Sequence, residues 1–575
     1  MKKILIINLA RMGDLLQSTP LLEEIKKESP DSRITMLANS KFAAICERLP
    51  FIDEIIKFDV EEIAKSISES NKNLIEIYKD LKNKIESLNR KGFSKIINLT
   101  HSKMSAFLMS LLDCNDKNGI TVDPNGFRVI KNDWMIYFFN AAINRRFNPF
   151  NLVDMYLLTT GKKNSIKSLL LELHNEDIAE AENFYAAKNV KKDDLLIGLQ
   201  PGASKSHKQW PVKNFAQVAS KIKKIIDAKI VVFGTSAESH LAEEIRKIAG
   251  EDIIDATGVT TMKNLPAFIS RCRMLITNDT GTMHIASAVN VPVIEISIGP
   301  VNYTETGPYG EGHYVIQTNV KCSPCSFNVK CKNEICKETV LPEEVIYTIK
   351  AMLGYEEMKN EKPKTLFLNS NLFYSRFDSE GFLEFVSPFP LPLNKTLFWK
   401  EIYRIFWEYV YFGKEHDETL ESNIDVRFGK YYFENDFIVE KESKKIIERI
   451  DEIIELAEEG KEIIKKIIRA LTESPDAVST DISLLAKRVT EIDAEIYRLS
   501  LATEELLPIC DVYRMKRESI DDPEATKVSW KCLALMEELQ NNCRFFKKVI
   551  YKTFSSEVVQ RKNSKKGKIS FQVIR

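Results

Sequence analysis

The stretch MLITNDTGTMH, residues 274–284, decides how the chain is expected to fold. Residues 274–277 form an apolar run that predicts a short buried strand. Asp279 or Thr280 is a good helix N-cap, and Gly281 lets the backbone come close to a ligand, so a helix is expected to begin there. The free N–H groups at a helix start bind anions. This unit is therefore either a capped core helix with a packed histidine or one side of an anion site.

Length and charge limit the classes of protein that remain. At 575 residues the chain is too long for one core, and three or four domains are expected. Because 82 basic residues balance 82 acidic ones, no overall field attracts nucleic acid, and no nucleic-acid partner is expected. The apolar run at residues 4–7 is too short for a signal peptide, and no stretch reaches the roughly 18 apolar residues of a membrane span. A cytoplasmic protein is predicted.

The N-terminal half opens with a predicted strand, residues 3–8, a loop containing Gly13 and Asp14, and a helix to about Glu28. This opening is the first unit of a doubly wound sheet, but it lacks the G-x-G-x-x-G motif of nicotinamide and flavin sites. Asp14 stands at the carboxyl end of a central strand, where such folds bind ligands. Its alternative role is to cap the following helix.

A second half begins with the predicted strand at residues 195–200 and a glycine loop that carries Lys205 and Lys208. Backbone donors and an ammonium group are what a phosphorylated ligand needs. Glu238, after the next strand, could bond a ribose hydroxyl or simply lie at a helix start. Two successive βα halves with ligand-type loops predict a cleft between two domains.

Four of the ten cysteines lie close together in the sequence, as Cys322, Cys325, Cys331 and Cys336. Four thiolates within fifteen residues can close a tetrahedral zinc or iron site. The alternative is a reduced surface loop, since the spacing is tighter than the common two-knuckle pattern.

Three ordered motifs resemble the ADP-heptose:lipopolysaccharide heptosyltransferases, glycosyltransferase family 9. They are NLARMGD at residues 8–14, QPG through KQWP at residues 200–211, and NDTGTMHIA at residues 278–286. GPYG at residues 307–310 and the cysteine cluster fit as well, and the resemblance spans residues 1–354.

The resemblance implies an α/β fold of the GT-B type, in which two Rossmann-like doubly wound domains face a cleft. The N-terminal domain would bind the acceptor and the C-terminal domain the nucleotide sugar. The implied reaction is an inverting transfer of L-glycero-D-manno-heptose from its ADP donor to the lipopolysaccharide inner core, with no cofactor required for catalysis.

Carried over by motif, Asp14 resembles the general base and Lys208 the partner of the diphosphate, with Lys205 as a competitor. The donor-site residues implied in this way are Gly13, Lys205, Glu238, Asp279, Thr280, Gly281 and His284. The second half has no D-x-D pair for Mg²⁺, so a lysine and a helix N-terminus are the economical means of stabilising the departing ADP.

The chain continues for over two hundred residues past the family pattern, as a mostly helical extension. Three heptad-like seams, Ile446 to Leu471, Ile482 to Leu506 and Val528 to Val549, predict a bundle for oligomerisation or for docking a partner, unless it is simply self-contained. The basic C-terminal residues suggest a peripheral contact with the inner face of the cytoplasmic membrane. The aromatic runs could face such a surface too, but core packing is the more usual role of such runs. The predicted parts are residues 1–185 (acceptor domain), 190–354 (donor domain, with the cysteines at 322–336), 364–412 (aromatic hairpin and helix), 440–555 (bundle) and 556–575 (basic tail).

Two other functions remain open. Related autotransporter heptosyltransferases use such motifs with a protein acceptor and a cysteine-bound iron. The first alternative for this chain is therefore transfer to a protein acceptor. The second is a non-catalytic scaffold that binds a sugar nucleotide, although the presence of Asp14, Lys208 and His284 together argues against it.

Overall fold

The computed structural model describes residues 2–68, 74–161, 166–326, 331–358, 362–412, 417–432, 439–473 and 480–556. The chain divides into two compact units, residues 1–122 with 150–389, and residues 123–149 with 390–575.

The described strands are numbered in chain order. They are β1 (Lys3–Asn8), β2 (Arg33–Asn39), β3 (Glu54–Phe58), β4 (Lys95–Asn98), β5 (Lys117–Val122), β6 (Arg128–Lys131), β7 (Leu195–Gln200), β8 (Ala228–Val232), β9 (Ile254–Asp255), β10 (Met274–Asn278), β11 (Val293–Ser297), β12 (Tyr314–Thr318), β13 (Ser370–Phe377), β14 (Leu383–Val386), β15 (Leu391–Pro392) and β16 (Tyr431–Tyr432).

The described helices follow the same order. They are α1 (Met12–Gln17), α2 (Thr19–Glu28), α3 (Val60–Ser68), α4 (Leu74–Asn89), α5 (Lys103–Ser110), α6 (Asp133–Ile143), α7 (Leu152–Leu158), α8 (Asn175–Ala187), α9 (Val212–Ile225), α10 (Ser239–Ala249), α11 (Leu265–Ser270), α12 (Gly281–Ala288), α13 (Tyr303–Thr306), α14 (Cys336–Thr339), α15 (Pro342–Met352), α16 (Lys395–Phe412), α17 (Asp417–Phe428), α18 (Val439–Glu473), α19 (Thr480–Ala502), α20 (Leu507–Glu518) and α21 (Ala525–Ser555).

The first unit holds two sheets in which the strands run mainly parallel. In the N-terminal sheet the order is β3-β2-β1-β4-β5. In the C-terminal sheet it is β14-β13-β12-β11-β10-β7-β8-β9. Strands β1 and β10 are buried over almost their whole length because helices cover both faces of a parallel sheet. The predicted pair of Rossmann-like α/β domains is confirmed.

A hairpin beyond the second domain extends its sheet. β13 pairs antiparallel with both β12 and β14, and the turn at Asp378–Gly381 joins β13 to β14 as the aromatic pattern predicts. The buried Asp154 of α7 accepts hydrogen bonds from the Tyr309 hydroxyl and the Leu383 N–H, both at 3.0 Å. One carboxylate thus links the N-terminal half, the C-terminal half and the hairpin.

The second unit is the predicted helical extension, and it also contains residues 123–149. Helices α18 and α21 pack along each other, with α19 and α20 against them. The seam expected to run unbroken from Ile482 to Leu506 ends with α19 at Ala502. A new helix begins at Leu507 with Pro508 in its first turn, because proline fits a helix start but cannot continue a helix.

Aromatic residues that suggested a membrane contact are buried inside this unit. Trp134 packs on Tyr411 with ring centroids 4.3 Å apart, and Tyr403, Phe406 and Trp407 of α16 are almost fully covered. No helix among the described residues is both long enough and apolar enough to cross a membrane.

Two of the predicted segments, the basic tail and residues 364–412, do not each correspond to one described unit. The basic tail, apart from Ser556, lies outside the described residues. The segment predicted as one unit, residues 364–412, contributes its hairpin to the first unit and its helix to the second. The division into five parts stays a prediction.

Candidate functional site

Asp14 lies in the first turn of α1, directly after the central strand β1. The buried Asn8 at the end of β1 donates to the Asp14 carbonyl at 3.1 Å and so fixes the intervening loop. The Asp14 carboxylate accepts the Arg11 N–H at 3.0 Å. Burial is the main influence on this carboxyl and raises its pKa above the ordinary value, and the charge of Asp279 adds to the rise. Asp14 therefore caps the turn and is also a carboxylate with raised basicity.

The end of β10 is tied to the loop that follows β7. The Asn278 side chain accepts the Trp210 N–H at 3.0 Å and donates to the Pro201 carbonyl at 2.9 Å. Trp210 is fully buried and donates its indole N–H to the Val340 carbonyl at 3.0 Å. These bonds hold the lysine loop over the strand end.

Lys208 and Asp279 form an ion pair at this place. Their side chains are only about a tenth exposed, at 10% and 11%. Lys208 ends a single 3₁₀ turn, Ser206–Lys208, whereas Lys205 before that turn is exposed. The structure therefore distinguishes the two lysines: Lys208 is built into the site and Lys205 lies at its edge.

The starts of α1 and α12 pack directly against each other. A Cβ atom added to Gly13 would lie 2.7 Å from Cδ2 of His284, and one added to Gly281 would lie 2.4 Å from Cε of Met12. The buried His284 ring has little room to move, so Gly13 is needed for the close approach, whereas the flexible end of Met12 could shift away from a side chain at position 281. The contact brings Asp14 of one half and the Asp279 turn of the other half into the same small volume.

The N-cap side chain of α12 does not bond the backbone of its own helix. Thr280 takes the N-cap position, but its hydroxyl lies 3.2 Å from the Thr277 hydroxyl rather than bonding a backbone N–H of the described helix. His284 is buried, and its Nδ1 has no hydrogen-bond partner among the described residues. Burial lowers the pKa of His284 to about 4, so the imidazole is neutral near pH 7.

Glu238 lies beside the glycine loop of the same half. Its carboxylate accepts from the Thr235 N–H at 2.7 Å and from the Thr235 hydroxyl at 2.9 Å. A side chain at Gly202 would collide with it, since an added Cβ would lie 1.9 Å from Glu238 Oε1. Glu238 is thus a helix-start carboxylate that also reaches the carboxyl end of β7.

The cysteine segment also adjoins the lysine loop. The Cys325 N–H and the Ser323 hydroxyl both donate to the Gly299 carbonyl at 3.2 Å, and an added Cβ on Gly299 would lie 2.4 Å from the His207 carbonyl oxygen. Burial and then the neighbouring cysteines raise the pKa of Cys325 and of Cys336. The thiols are therefore close enough to influence one another's ionisation. Residues 327–330, which lie between them in the sequence, are outside the described part.

Among the described residues, one group of side chains has ligand atoms close enough to share a metal ion; it is not the cysteine segment, and it already has a cation. His174, Glu176 and Asp177 have ligand atoms within 4.8 Å of one another. The Arg48 guanidinium bonds Asp177 at 2.8 Å and Glu176 at 3.3 Å, so this group is an arginine salt bridge.

One buried glutamate, Glu295, is not among the site residues predicted from the sequence. Glu295 lies in the middle of β11, fully buried, and neither carboxylate oxygen has a hydrogen-bond partner among the described residues. The only sequence signal is a charged residue inside the apolar strand VIEIS. Asn8 and Asn278 were also missed as the side chains that fix the two loops.

Comparison with known proteins bears directly on this site. Residues 83–336 match the model of glycosyltransferase family 9 (heptosyltransferase). Lipooligosaccharide heptosyltransferase 2 of Campylobacter jejuni is 26% identical over 349 residues, which are 60% of this chain and 95% of that protein. Lipopolysaccharide heptosyltransferase 1 of Campylobacter coli is 26% identical over 369 residues, 62% of this chain and all of that protein.

A solved structure agrees with these sequence matches. The glycosyl transferase family 9 protein from Veillonella parvula is 25% identical and has a TM-score of 0.52. The match covers 62% of this chain and 98% of the Veillonella protein.

These matches show a glycosyltransferase. Within it, residues 83–336 form a glycosyltransferase family 9 domain, and the chain continues beyond that domain into the helical extension. Asp14 precedes the matched residues.

Proposed function

We propose that the chain transfers heptose from ADP-L-glycero-D-manno-heptose to a hydroxyl of the lipopolysaccharide inner core, with inversion at the anomeric carbon. The observation that supports this most is the packing of α1 on α12. In the proposal, the Asp14 carboxylate, the Lys208 ammonium group, the start of α12 and the His284 imidazole act on one substrate.

Asp14 is the general base in this proposal. A hydroxyl is a poor nucleophile until a base within hydrogen-bond distance accepts its proton, and inversion requires that base on the face opposite the leaving group. Because burial raises the pKa of Asp14, its carboxylate is a better proton acceptor than an exposed aspartate.

Lys208 and the start of α12 hold the diphosphate. Charge grows on ADP as the bond to the sugar breaks, and preorganised donors in a buried place stabilise that charge without reorganising. Asp279 holds the Lys208 ammonium in position through their ion pair, and Gly281 and Thr280 leave the backbone N–H groups open to a phosphate oxygen.

His284 and Glu238 complete the donor site. The neutral imidazole of His284 has a ring nitrogen to offer to the sugar or the phosphate. Glu238, beside Gly202, is a candidate acceptor for a ribose hydroxyl. Lys205 is exposed and contributes at most a weaker electrostatic attraction.

We also propose a structural zinc or iron ion at Cys322, Cys325, Cys331 and Cys336. Four thiols are a donor set that zinc and iron prefer, but the described cysteines do not form a group of three with sulfur atoms within 4.8 Å of one another, so binding an ion would draw the segment together and release the thiol protons. The segment is bonded to Gly299, which touches the loop before Lys208. Such an ion would therefore brace the diphosphate loop rather than take part in the chemistry.

Predictions about the surroundings of the enzyme remain to be tested. They are a cytoplasmic location, a peripheral membrane contact and oligomerisation through the bundle of α18 to α21. The apolar seam of that bundle is already used inside the second unit, where Ile450, Ile453 and Phe546 are buried, so an oligomer would need its exposed faces.

The test is to incubate the purified chain with ADP-heptose and measure ADP release with and without an acceptor. A heptose-deficient lipid A–core preparation should stimulate release, whereas a protein acceptor should not. Binding of ADP-heptose without stimulated release would favour the sugar-nucleotide-binding scaffold instead.

A further inference from the structure

Glu295 is an ionisable group that the proposed mechanism does not use. It is fully buried, and neither carboxylate oxygen has a hydrogen-bond partner among the described residues. Ser297, two residues along the same strand face, is also buried, with an unpartnered hydroxyl among those residues. Leaving a buried acceptor unpaired is unfavourable, so two neighbouring cases in one strand need an explanation.

The position of Glu295 places it beside the diphosphate elements. In the parallel pairing of β10 with β11, Glu295 is the partner of Thr277, two residues before Asp279. Adjacent strands lie about 4.8 Å apart, and paired residues point to the same face. α12 packs on both strands.

The charged groups that influence Glu295 are few. They are Asp279, after β10, and Lys208, from the loop after β7. On its other side β12 presents Val315 in register, and the His284 imidazole of α12 is neutral above about pH 4. Burial and then the Asp279 charge raise the pKa of Glu295 well above its ordinary value, which favours the protonated carboxyl relative to an exposed glutamate.

We propose that Glu295 is a positioning residue for Lys208, which leaves the ammonium group to the donor diphosphate while protonated and competes for it once ionised. The inference rests on the proposed role of Lys208. A protonated Glu295 next to the Lys208–Asp279 pair adds no negative charge where the diphosphate must bind. An ionised Glu295 would give Lys208 a second carboxylate partner and repel the phosphates.

Proton linkage gives this arrangement a measurable consequence. A bound diphosphate adds negative charge near Glu295 and so raises the pKa of its carboxyl further. Binding therefore favours the protonated form, and affinity falls as pH rises above the pKa of the free site, by at most about tenfold per pH unit for one proton. The Glu295→Gln variant has no carboxyl to ionise at this position, so its ADP affinity should not show this fall.

The experiment is to measure ADP affinity by titration calorimetry from about pH 6 to about pH 9.5, below the usual lysine pKa of about 10.4. Glu295→Gln is compared with the wild type and with Glu344→Gln. Glu344 is a matched control because it is also buried, but its oxygens accept from the N–H groups of Leu341 and Phe367 and from the Ser370 hydroxyl.

We expect wild type and Glu344→Gln to lose affinity together toward high pH, while Glu295→Gln keeps its affinity and becomes the tightest binder there. Proton uptake on binding, measured in buffers of different ionisation enthalpy, should be greater in the wild type and in Glu344→Gln than in Glu295→Gln. Parallel pH profiles in all three proteins, or equal proton uptake in all three, would overturn the inference.

Failure of the inference and failure of the proposed function give different results. If ADP binds and the pH profiles of affinity are parallel, the proposed role of Glu295 is wrong and the proposed transferase function is unaffected. If the pH profile of ADP affinity depends on Glu295 but no acceptor stimulates ADP release, the role of Glu295 stands and the proposed transferase function is wrong. Absence of ADP binding removes both.

Discussion

Replacing Lys208 with alanine removes the buried cation that we propose binds the donor diphosphate. The side chain is about a tenth exposed and is held by Asp279, so its ammonium group is preorganised. Loss of one preorganised donor to a developing charge costs about 2.7–4 kcal/mol of barrier, which is a fall of roughly a hundredfold to a thousandfold in turnover.

The same substitution leaves Asp279 without its partner. Because the Asp279 side chain is only 11% exposed, an uncompensated carboxylate there should destabilise the fold, by up to about 3–5 kcal/mol for a fully buried pair. The double variant Lys208→Ala/Asp279→Ala separates the two effects. It should recover thermal stability relative to the single variant without recovering turnover.

The assay is steady-state ADP release at saturating acceptor, with thermal unfolding measured on each protein. Lys205→Ala is the matched control, since Lys205 lies three residues away in the same loop and is exposed. It should change turnover by less than about threefold. The reasoning is refuted if Lys208→Ala stays folded with near-wild-type turnover, or if Lys205→Ala shows the larger loss.

Three further predictions concern neighbouring parts of the site. Asp14→Asn should lower turnover by about a hundredfold or more; because burial raises the pKa of Asp14, wild-type turnover should fall on acidification at a pH above the usual aspartate range, and a flat profile would contradict the role of base. Gly13→Ala should cost about 1–3 kcal/mol of stability and much of the activity, because its Cβ would lie 2.7 Å from the His284 ring, and unchanged unfolding and turnover would refute that close packing. Metal analysis of Cys322→Ser and Cys325→Ser should show loss of about one bound ion per chain together with weaker ADP binding; a wild type free of metal would rule the ion out.

The parts of the fold with strong local patterns could be predicted from the sequence. The strand and helix at residues 274–288 were expected because an apolar run meets a capping residue and a glycine. The opening strand, the turn at Asp378–Gly381 and the long helices have equally clear periodicity. In these places local preference and tertiary packing agree.

The remaining features depend on contacts between residues far apart in the chain. Nothing in the local sequence around Asp133 says that α6 packs with α20, which lies more than 350 residues later. The break at Thr503 was hidden because the apolar spacing continues across it. The environment of Glu295 exists only once β11 lies beside β10 and the charges of Asp279 and Lys208 are close enough to influence it.

The candidate site divides in the same way. Asp14, Lys208, Asp279 and His284 are recognisable from their motifs, and the fold brings them together through the contact of α1 with α12. Which lysine is built into the site depends on burial, and burial follows from the 3₁₀ turn and the Asp279 partner rather than from composition.

The central claim is that Asp14 and the Lys208–Asp279 turn serve a single heptosyl transfer. The most direct measurement is the mass of a heptose-deficient lipid A–core acceptor after incubation with ADP-heptose and the wild-type chain, Asp14→Asn or Lys208→Ala. We expect the wild type to add one heptose to the acceptor and neither variant to do so at a comparable rate. An unmodified acceptor with the wild type, or an equally modified one with either variant, would contradict it.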